Sequence, residues 1–264
     1  MKFLRRKFPF LSFLGLKLIE CHFFIFFNFF RLQKKVVITS HNGKNISDSG
    51  KYVGEFLAKK GFQIIYLVNN PEQFPNENKT LVKQKSFKGL YELATAKIWI
   101  DNHRKIFRTP KRKRQYYIQT WHSPLRLKLI EKDAEKFLDK FYIYFAKNDA
   151  SVTDYMISGC DYSRKIYEKS FWFNGEVLEI GTPRLDIFFK DNKNIKEKVI
   201  NEFNLSSENK ICLYMPTFRK DKGTDVYKFN YEKFLKNLSG DDWILLVKLH
   251  PNMIENSDFI TYNE

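Results

Sequence analysis

The sequence predicts an α/β protein in which parallel strands are wrapped by helices. From residue 35 onward, runs of four to eight β-branched and aromatic residues alternate with amphipathic helical stretches. That alternation is the signature of crossover helices between parallel strands. Polar, chemistry-bearing residues also recur at the carboxyl ends of the predicted strands, which is where open α/β sheets assemble sites.

The elements follow in order. KKVVITS (34–40) is a short strand, and His41-Asn42-Gly43 a turn. Ser47 to Lys60 reads as a helix, with Tyr52, Val53, Phe56 and Leu57 on one face and Gly61 as its stop. FQIIYLV (62–68) is the next strand, closed by Asn69, Asn70 and Pro71. A helix over 86–96, KIWID (97–101), QYYIQTW (115–121) and a helix over about 125–140 come next. MISG (156–159), a helix over 163–169 and EVLEIG (176–181) complete the first segment. The polar DNKNIKEK stretch then marks a boundary near 190–205. Beyond it lie KICLYMP (210–216), a helix over 230–238 and DWILLVKLHP (242–251). Two strands make too small a sheet for a doubly wound domain, so the second domain is expected to be C-terminally incomplete.

Charge sorts the function classes. The 264 residues carry 46 Lys+Arg against 30 Asp+Glu, a net charge of +16, and most of that excess lies in two islands. Residues 1–35 hold eight basic residues against Glu20 alone, and residues 104–114 hold seven with no acid. The rest is nearly neutral, which argues against a nucleic-acid coat protein. The 104–114 island, IFRTPKRKRQYY, reads as a solvated loop that polyanions would attract. Three scattered cysteines and the lack of any C-x-x-C exclude a disulfide framework and thiol redox chemistry.

The first island flanks FPFLSFLGLKLIECHFFIFFNFF (8–30), which Lys17, Glu20, His22 and Asn28 interrupt. Such central polar residues speak against a spanning helix, and no small-residue cleavage site follows. The reading is an interfacial helix on an anionic membrane surface, with a buried first helix of the domain as the alternative. Cys21 and His22 fall in this run and receive no role.

There is no G-x-G-x-x-G, Walker loop, G-x-S-x-G or D-x-D. What remains is Asp101-Asn102-His103, His122-Ser123, Gly181 to Asp186, Pro216 to Arg219 and Lys248 to Pro251 at strand ends. Histidine can take a proton from a hydroxyl near neutral pH, and Arg and Lys can hold phosphate. Together they suit transfer to a hydroxyl from a phosphorylated donor.

YIQTWHSPLRLKLIEKDAE (117–135) resembles the QTWHG…K signature of the CDP-glycerol glycerophosphotransferase family, the teichoic-acid polymerase and primase type. SHNGKNISDSGKYV resembles that family's N-terminal NG…DN loop, and AKIWIDNHR its next strand end. GTPRLD resembles its GxPRxD, LYMPTFR its YxPTxR, and LVKLHP its KxHP. The resemblance, over residues 36–251, implies a GT-B-like fold of two Rossmann-like domains with the donor between them. Their expected extents are 35–190 on the acceptor side and 191–264 on the donor side, after a membrane-associating segment over 1–34. It further implies a peripheral enzyme on the cytoplasmic face of the bacterial plasma membrane, with no metal and no cofactor beyond the CDP-glycerol or other CDP-polyol donor. The acceptor is expected to be a lipid-linked teichoic acid or capsular polysaccharide, and nucleic acid is not an expected partner.

Carried over residue by residue, the resemblance makes His122 the general base and His250 the residue that holds the pyrophosphate and steadies departing CMP. Arg184 and Asp186 would grip the donor or clamp the interdomain hinge, with a buried ion pair as the alternative. Thr217, Arg219 and Lys248 would bind phosphate, while Asn42, Gly43 and Asp48 would shape the acceptor-side loop. His41 and His103 are left structural. Two departures stand out: Ser123-Pro124 occupies the place of the family's glycine after WH, and the family's later DYSS region has no counterpart. The first predicts a displaced His122 loop, since a residue before proline is held extended. The second leaves a catalytically inactive copy, retaining membrane and acceptor binding, as the alternative reading.

Overall fold

A computed structural model describes residues 9–74, 79–105, 109–123, 125, 129–190, 193–216, 230–238, 240 and 242–249. The chain divides into two compact units, Met1–Lys190 and Asp191–Glu264. In the first, helix α1 (Pro9–Phe29) precedes strand β1 (Gln33–Thr39). Helix α2 (Asp48–Lys59), β2 (Gln63–Val68), β3 (Thr80–Lys83) and helix α3 (Phe87–Thr95) follow. Then come β4 (Ala96–Asp101), β5 (Tyr116–Gln119), helix α4 (Lys140–Val152), β6 (Tyr155–Ser158), helix α5 (Asp161–Ser170) and β7 (Glu176–Glu179). The seven strands pair in the order β3-β2-β1-β4-β5-β6-β7, every pair parallel.

Alternation along the strands builds a core on each face of this sheet. Val37, Ile65, Leu67, Trp99 and Tyr117 meet Phe27 of α1 and Leu90 and Leu93 of α3 on one side. Val36, Ile38, Tyr66 and Ile100 meet Val53 and Leu57 of α2 on the other. Trp99 is fully buried and its indole N–H donates to the Leu93 carbonyl at 2.9 Å, so its polar edge is satisfied where α3 ends.

The aromatic N-terminal run divides its loyalties along α1. Phe27 is fully buried in the core, and Phe23, Phe26 and Phe30 pack against it. Glu20 is buried and accepts from the Tyr144 hydroxyl at 2.8 Å. Leu14, Leu18, Ile25 and Phe29, at helical spacing, instead form an exposed stripe. Among the described residues no helix is long and apolar enough to cross a membrane.

The expectation of a solvated loop over 104–114 is corrected. Arg104 is 7% exposed, lying between Glu131 and Asp149 at 3.1 Å from each. Lys105 pairs with Asp101, and Lys111 with Asp154 at 2.9 Å. Arg112 donates to the carbonyls of Phe30 and Ala94, tying α1 and α3 together. Of the described residues in the island only Lys113 and Arg114 are exposed. Arg104 and Lys111 look free in the sequence because the carboxylates that pair with them lie far off along the chain.

The helix expected over 125–140 is also corrected: Glu131–Phe137 is 3-10. The α-helix starts at Lys140, where the Asp139 carboxylate caps the backbone N–H groups of Phe141 and Tyr142. In the second unit, helix α6 (Lys193–Glu202) occupies the polar stretch read as a boundary. Helix α7 (Tyr231–Lys236) lies between β8 (Lys210–Tyr214) and β9 (Trp243–Val247), which pair in parallel.

Candidate active site

The chain runs outward from β1 to β3 and then returns to β4 on the other side of β1. The order therefore reverses between β1 and β4, and the loops leaving their carboxyl ends splay apart there to leave a crevice. The turn after β1 supplies His41, Asn42 and Gly43; the loop after β4 supplies Asn102 and His103; the loop after β5 supplies Trp121 and His122. The Pro183–Phe189 3-10 segment after β7 supplies Arg184.

Local conformation explains this use of residues. His41, Asn42 and Gly43 have φ of 48°, 55° and 75°, a left-handed turn that reverses the chain at the strand end. A Cβ on Gly43 would sit 2.7 Å from Gln84 Oε1 and 3.1 Å from the Asn69 backbone nitrogen, so the position has no room for a side chain. Asn69 fastens the turn, its backbone N–H donating to the Gly43 carbonyl at 2.7 Å and its side chain to the Asn42 carbonyl at 2.9 Å. Asp48 opens α2, where the helix N-terminus favours a carboxylate, and Ser49 N–H donates to its Oδ1 at 2.7 Å.

Asn102, 2% exposed, is the hub of the site. Its Oδ1 accepts the His41 backbone N–H at 2.7 Å and lies 2.9 Å from His103 Nδ1; its Nδ2 donates to Asp48 Oδ2 at 2.8 Å. Its backbone carbonyl lies 2.8 Å from His122 Nδ1. A carbonyl can only accept, so His122 Nδ1 carries the hydrogen, and in the neutral ring it is Nε2 that keeps the lone pair. This is the tautomer a general base requires. His103 and His122 stack with ring centroids 4.2 Å apart and planes 18° from parallel, while the His41 and His103 centroids are 5.2 Å apart. Burial, with help from His122 and His41, pushes His103 down to about 4. Burial lowers His41 as well, against the opposing pull of Asp48, whose Oδ2 is 3.5 Å from its Nε2.

Arg184 donates from Nη1 to Asp48 Oδ1 at 2.9 Å and to the His122 carbonyl at 3.2 Å. In the first unit the part-exposed Arg184 thus pairs with the buried Asp48 of α2. Asp48 serves a frame under the histidines: it grips Asn102 and Arg184, and each of these holds His122. Trp121, whose ring centroid is 4.4 Å from that of His122, lies over the Arg104 guanidinium. The Ser123 carbonyl accepts the Tyr167 hydroxyl at 2.7 Å. The positive φ of this loop falls on Trp121, at 51°.

A cavity of about 430 Å³ opens beside these rings. His103, His122 and Asn42 edge it, and Trp121, Leu129, Ile130 and Tyr142 contribute apolar wall. Among the described residues no group of three or more His, Cys, Asp or Glu could hold a metal ion.

The structure brings Asn42, Gly43, Asp48, His122 and Arg184 together at one end of the sheet. Asp186 is exposed. Lys248 lies in the second unit, exposed just past β9, with its backbone N–H donating to the Tyr214 carbonyl at 2.9 Å. Thr217, Arg219 and His250 lie outside the described residues. His41, Asn102 and His103 join the cluster although the sequence reading left the two histidines structural and gave Asn102 no part of its own beyond its place at a strand end. The available signal was that S-H-N-G and D-N-H both end strands flanking a point where the strand order reverses.

Residues 21–263 match the family described as CDP-Glycerol:Poly(glycerophosphate) glycerophosphotransferase. The teichoic acid poly(glycerol phosphate) polymerase of Bacillus spizizenii is 31% identical over 250 residues, covering 89% of this chain and 64% of that protein. The teichoic acid glycerol-phosphate primase of Bacillus subtilis is 29% identical over 197 residues, covering 71% of this chain and 50% of its own. Among solved structures, the wall teichoic acid polymerase TagF superposes with a TM-score of 0.72 at 30% identity, over 86% of this chain and 58% of that one. A variant of the same polymerase soaked with CDPG gives a TM-score of 0.73. This chain thus spans only part of each of these proteins, and the α/β, GT-B-like fold class read from its sequence is the one they share. With the match running over most of its length, the chain belongs to the CDP-glycerol:poly(glycerophosphate) glycerophosphotransferase family.

Proposed function

We propose that the protein transfers glycerol phosphate, or a related polyol phosphate, from a CDP-polyol to a hydroxyl of a teichoic-acid or capsular-polysaccharide acceptor. The observation that carries this reading is His122, whose Nδ1–H is fixed on the Asn102 carbonyl and whose side chain edges the cavity. In the reaction His122 Nε2 takes the acceptor hydroxyl proton as its oxygen bonds to the phosphorus bearing the glycerol. The bond from that phosphorus to the bridging oxygen breaks, and CMP leaves with the electron pair. The donor is held by residues of the family motifs, with His250 at the pyrophosphate and Arg184, Asp186, Thr217, Arg219 and Lys248 as its other contacts. No metal or further cofactor takes part.

The enzyme works as a peripheral protein on the cytoplasmic face of the membrane. The exposed Leu14, Leu18, Ile25 and Phe29 stripe of α1, in a segment whose sequence carries an excess of Lys and Arg, supports that placement. The test is CMP release by the full chain from labelled CDP-glycerol in the presence of a membrane acceptor. His122→Ala and His250→Ala should each lower the rate by about 10²-fold or more. Release that survives both substitutions overturns the mechanism, and none from the unsubstituted chain favours an inactive copy.

A further inference from the structure

His103 and His122 sit 19 positions apart in sequence but leave neighbouring strands. Both rings are anchored through Nδ1 on the same residue, one on the Asn102 side-chain oxygen and one on its carbonyl. Neither anchor can donate: Asn102 Oδ1 is identified as oxygen by accepting the His41 backbone N–H. Both Nδ1 atoms therefore carry hydrogen, and in each neutral ring Nε2 is the atom with the lone pair. The two nitrogens of an imidazole point to nearly opposite sides of the ring. Anchoring both Nδ1 atoms on Asn102 thus turns both Nε2 atoms away from it. The near-parallel stack, 4.2 Å between centroids, sets these two acceptors side by side, and both residues edge the cavity.

A pair of neutral acceptors so close together repels phosphate and carboxylate oxygens and calls for two donors at short spacing. Hydroxyls on adjacent carbons meet that demand. We infer that His103 and His122 together read a vicinal diol at the acceptor terminus. His122 faces the reacting hydroxyl, and His103 accepts a hydrogen bond from its neighbour. This rests on the transferase reading above and names the chemistry of the acceptor end, making His103 the residue that sets acceptor specificity. The low pKa of His103 supports it, since a ring protonated only near pH 4 stays an acceptor at Nε2 throughout the neutral range. An acceptor with a single terminal hydroxyl leaves His103 Nε2 unpaired in a partly buried site, and sites built to hydrogen-bond a hydroxyl reject analogues that lack it.

The experiment compares glycerol 1-phosphate, which ends in a vicinal diol, with 3-hydroxypropyl phosphate, which lacks the middle hydroxyl. Affinities of the full chain for each are measured by titration, with histidine ¹⁵N shifts recorded alongside. The diol should bind at least about tenfold tighter and move the Nε2 resonances of both His103 and His122; the mono-ol should move only that of His122. His103→Phe, which keeps a stacked ring without nitrogens, should bring the affinity ratio to about one. Equal affinities in the unsubstituted protein, a His103 Nε2 signal unmoved by saturating diol, or a ratio unchanged in His103→Phe overturns the inference. The shift measurement needs no variant, so a poorly folded substitution leaves the test intact. CMP release measured in parallel separates the two readings. Transfer without diol preference sinks only this inference, and diol preference without transfer sinks only the transferase.

Discussion

Asn102→Asp is a change of one side-chain group at the hub, and the structure says what it does. The side-chain oxygen still accepts from His41 and His103, but Nδ2, which donates to Asp48 at 2.8 Å, becomes a second carboxylate oxygen. Two unit charges at that separation repel by about 6 kcal/mol at an effective dielectric of about 20. Arg184, 2.9 Å from Asp48, offsets only part of this. Taking up a proton is the easier course, because a protonated carboxyl can donate to Asp48 as the amide did. The new carboxyl then has a folded pKa above its unfolded value of about 3.9, so its penalty is absent below about pH 4 and grows as pH rises. Holding the proton at pH 7.5 costs at most about 5 kcal/mol, falling by about 1.4 kcal/mol per pH unit to about 2 kcal/mol at pH 5.5. Urea unfolding of the full chain, followed by tryptophan fluorescence, measures this, since three of the four tryptophans lie in the first unit. A loss that does not change between pH 5.5 and 7.5, or one under about 1 kcal/mol at pH 7.5, refutes the hub.

Trp99→Ala should cost about 3–5 kcal/mol, read as a lowered urea midpoint, because it empties a fully buried site and removes one of the two side-chain hydrogen bonds that the Leu93 carbonyl accepts. Gly43→Ala should lower the melting temperature by an amount equivalent to about 1–3 kcal/mol, from a φ of 75° and a Cβ contact at 2.7 Å. The His103 ring should titrate near pH 4 by NMR. Because the unfolded chain binds that proton more tightly, His103 draws stability down as pH falls from about 6.5 towards 4. A His103→Phe variant whose stability falls as steeply over that window as the parent's would count against the assigned shift.

The alternation that predicts a parallel sheet is a local property, so β1, β2, β4, β5, β6 and β7 could be read from the sequence to within a few residues. What was missed turned on contacts remote in sequence. The four-residue β3 has too little pattern of its own and exists because Leu81 and Val82 pair with Tyr66 and Leu67. The helix placed over 125–140 begins at Lys140 because Asp139 caps it. Its buried face is Phe141, Phe145, Ala146, Asp149 and Ala150, one of them a carboxylate that looks misplaced until Arg104 is seen beside it. For the same reason the basic island looked solvated. Arg104 and Lys111 have partners 27 to 45 positions away, and no local window holds both halves of such a pair.

The site was legible in its parts and hidden in its logic. His122, Asp48 and Arg184 stood in motifs, and the sequence reading gave each its own task, at the acceptor, the loop and the donor. The fold makes them one device: the strand order reverses beside β1, and Asn102 is the residue from which all three site histidines take a hydrogen bond or an anchor. Histidines with no metal spacing between them appear unrelated in sequence, because their relation runs through an asparagine. That asparagine has a physical advantage over any carboxylate in its place. It accepts from two histidine groups while donating to Asp48, adding no charge to a site that already buries one carboxylate. A neutral hub also adds no counterion beside His103, whose ring burial keeps uncharged.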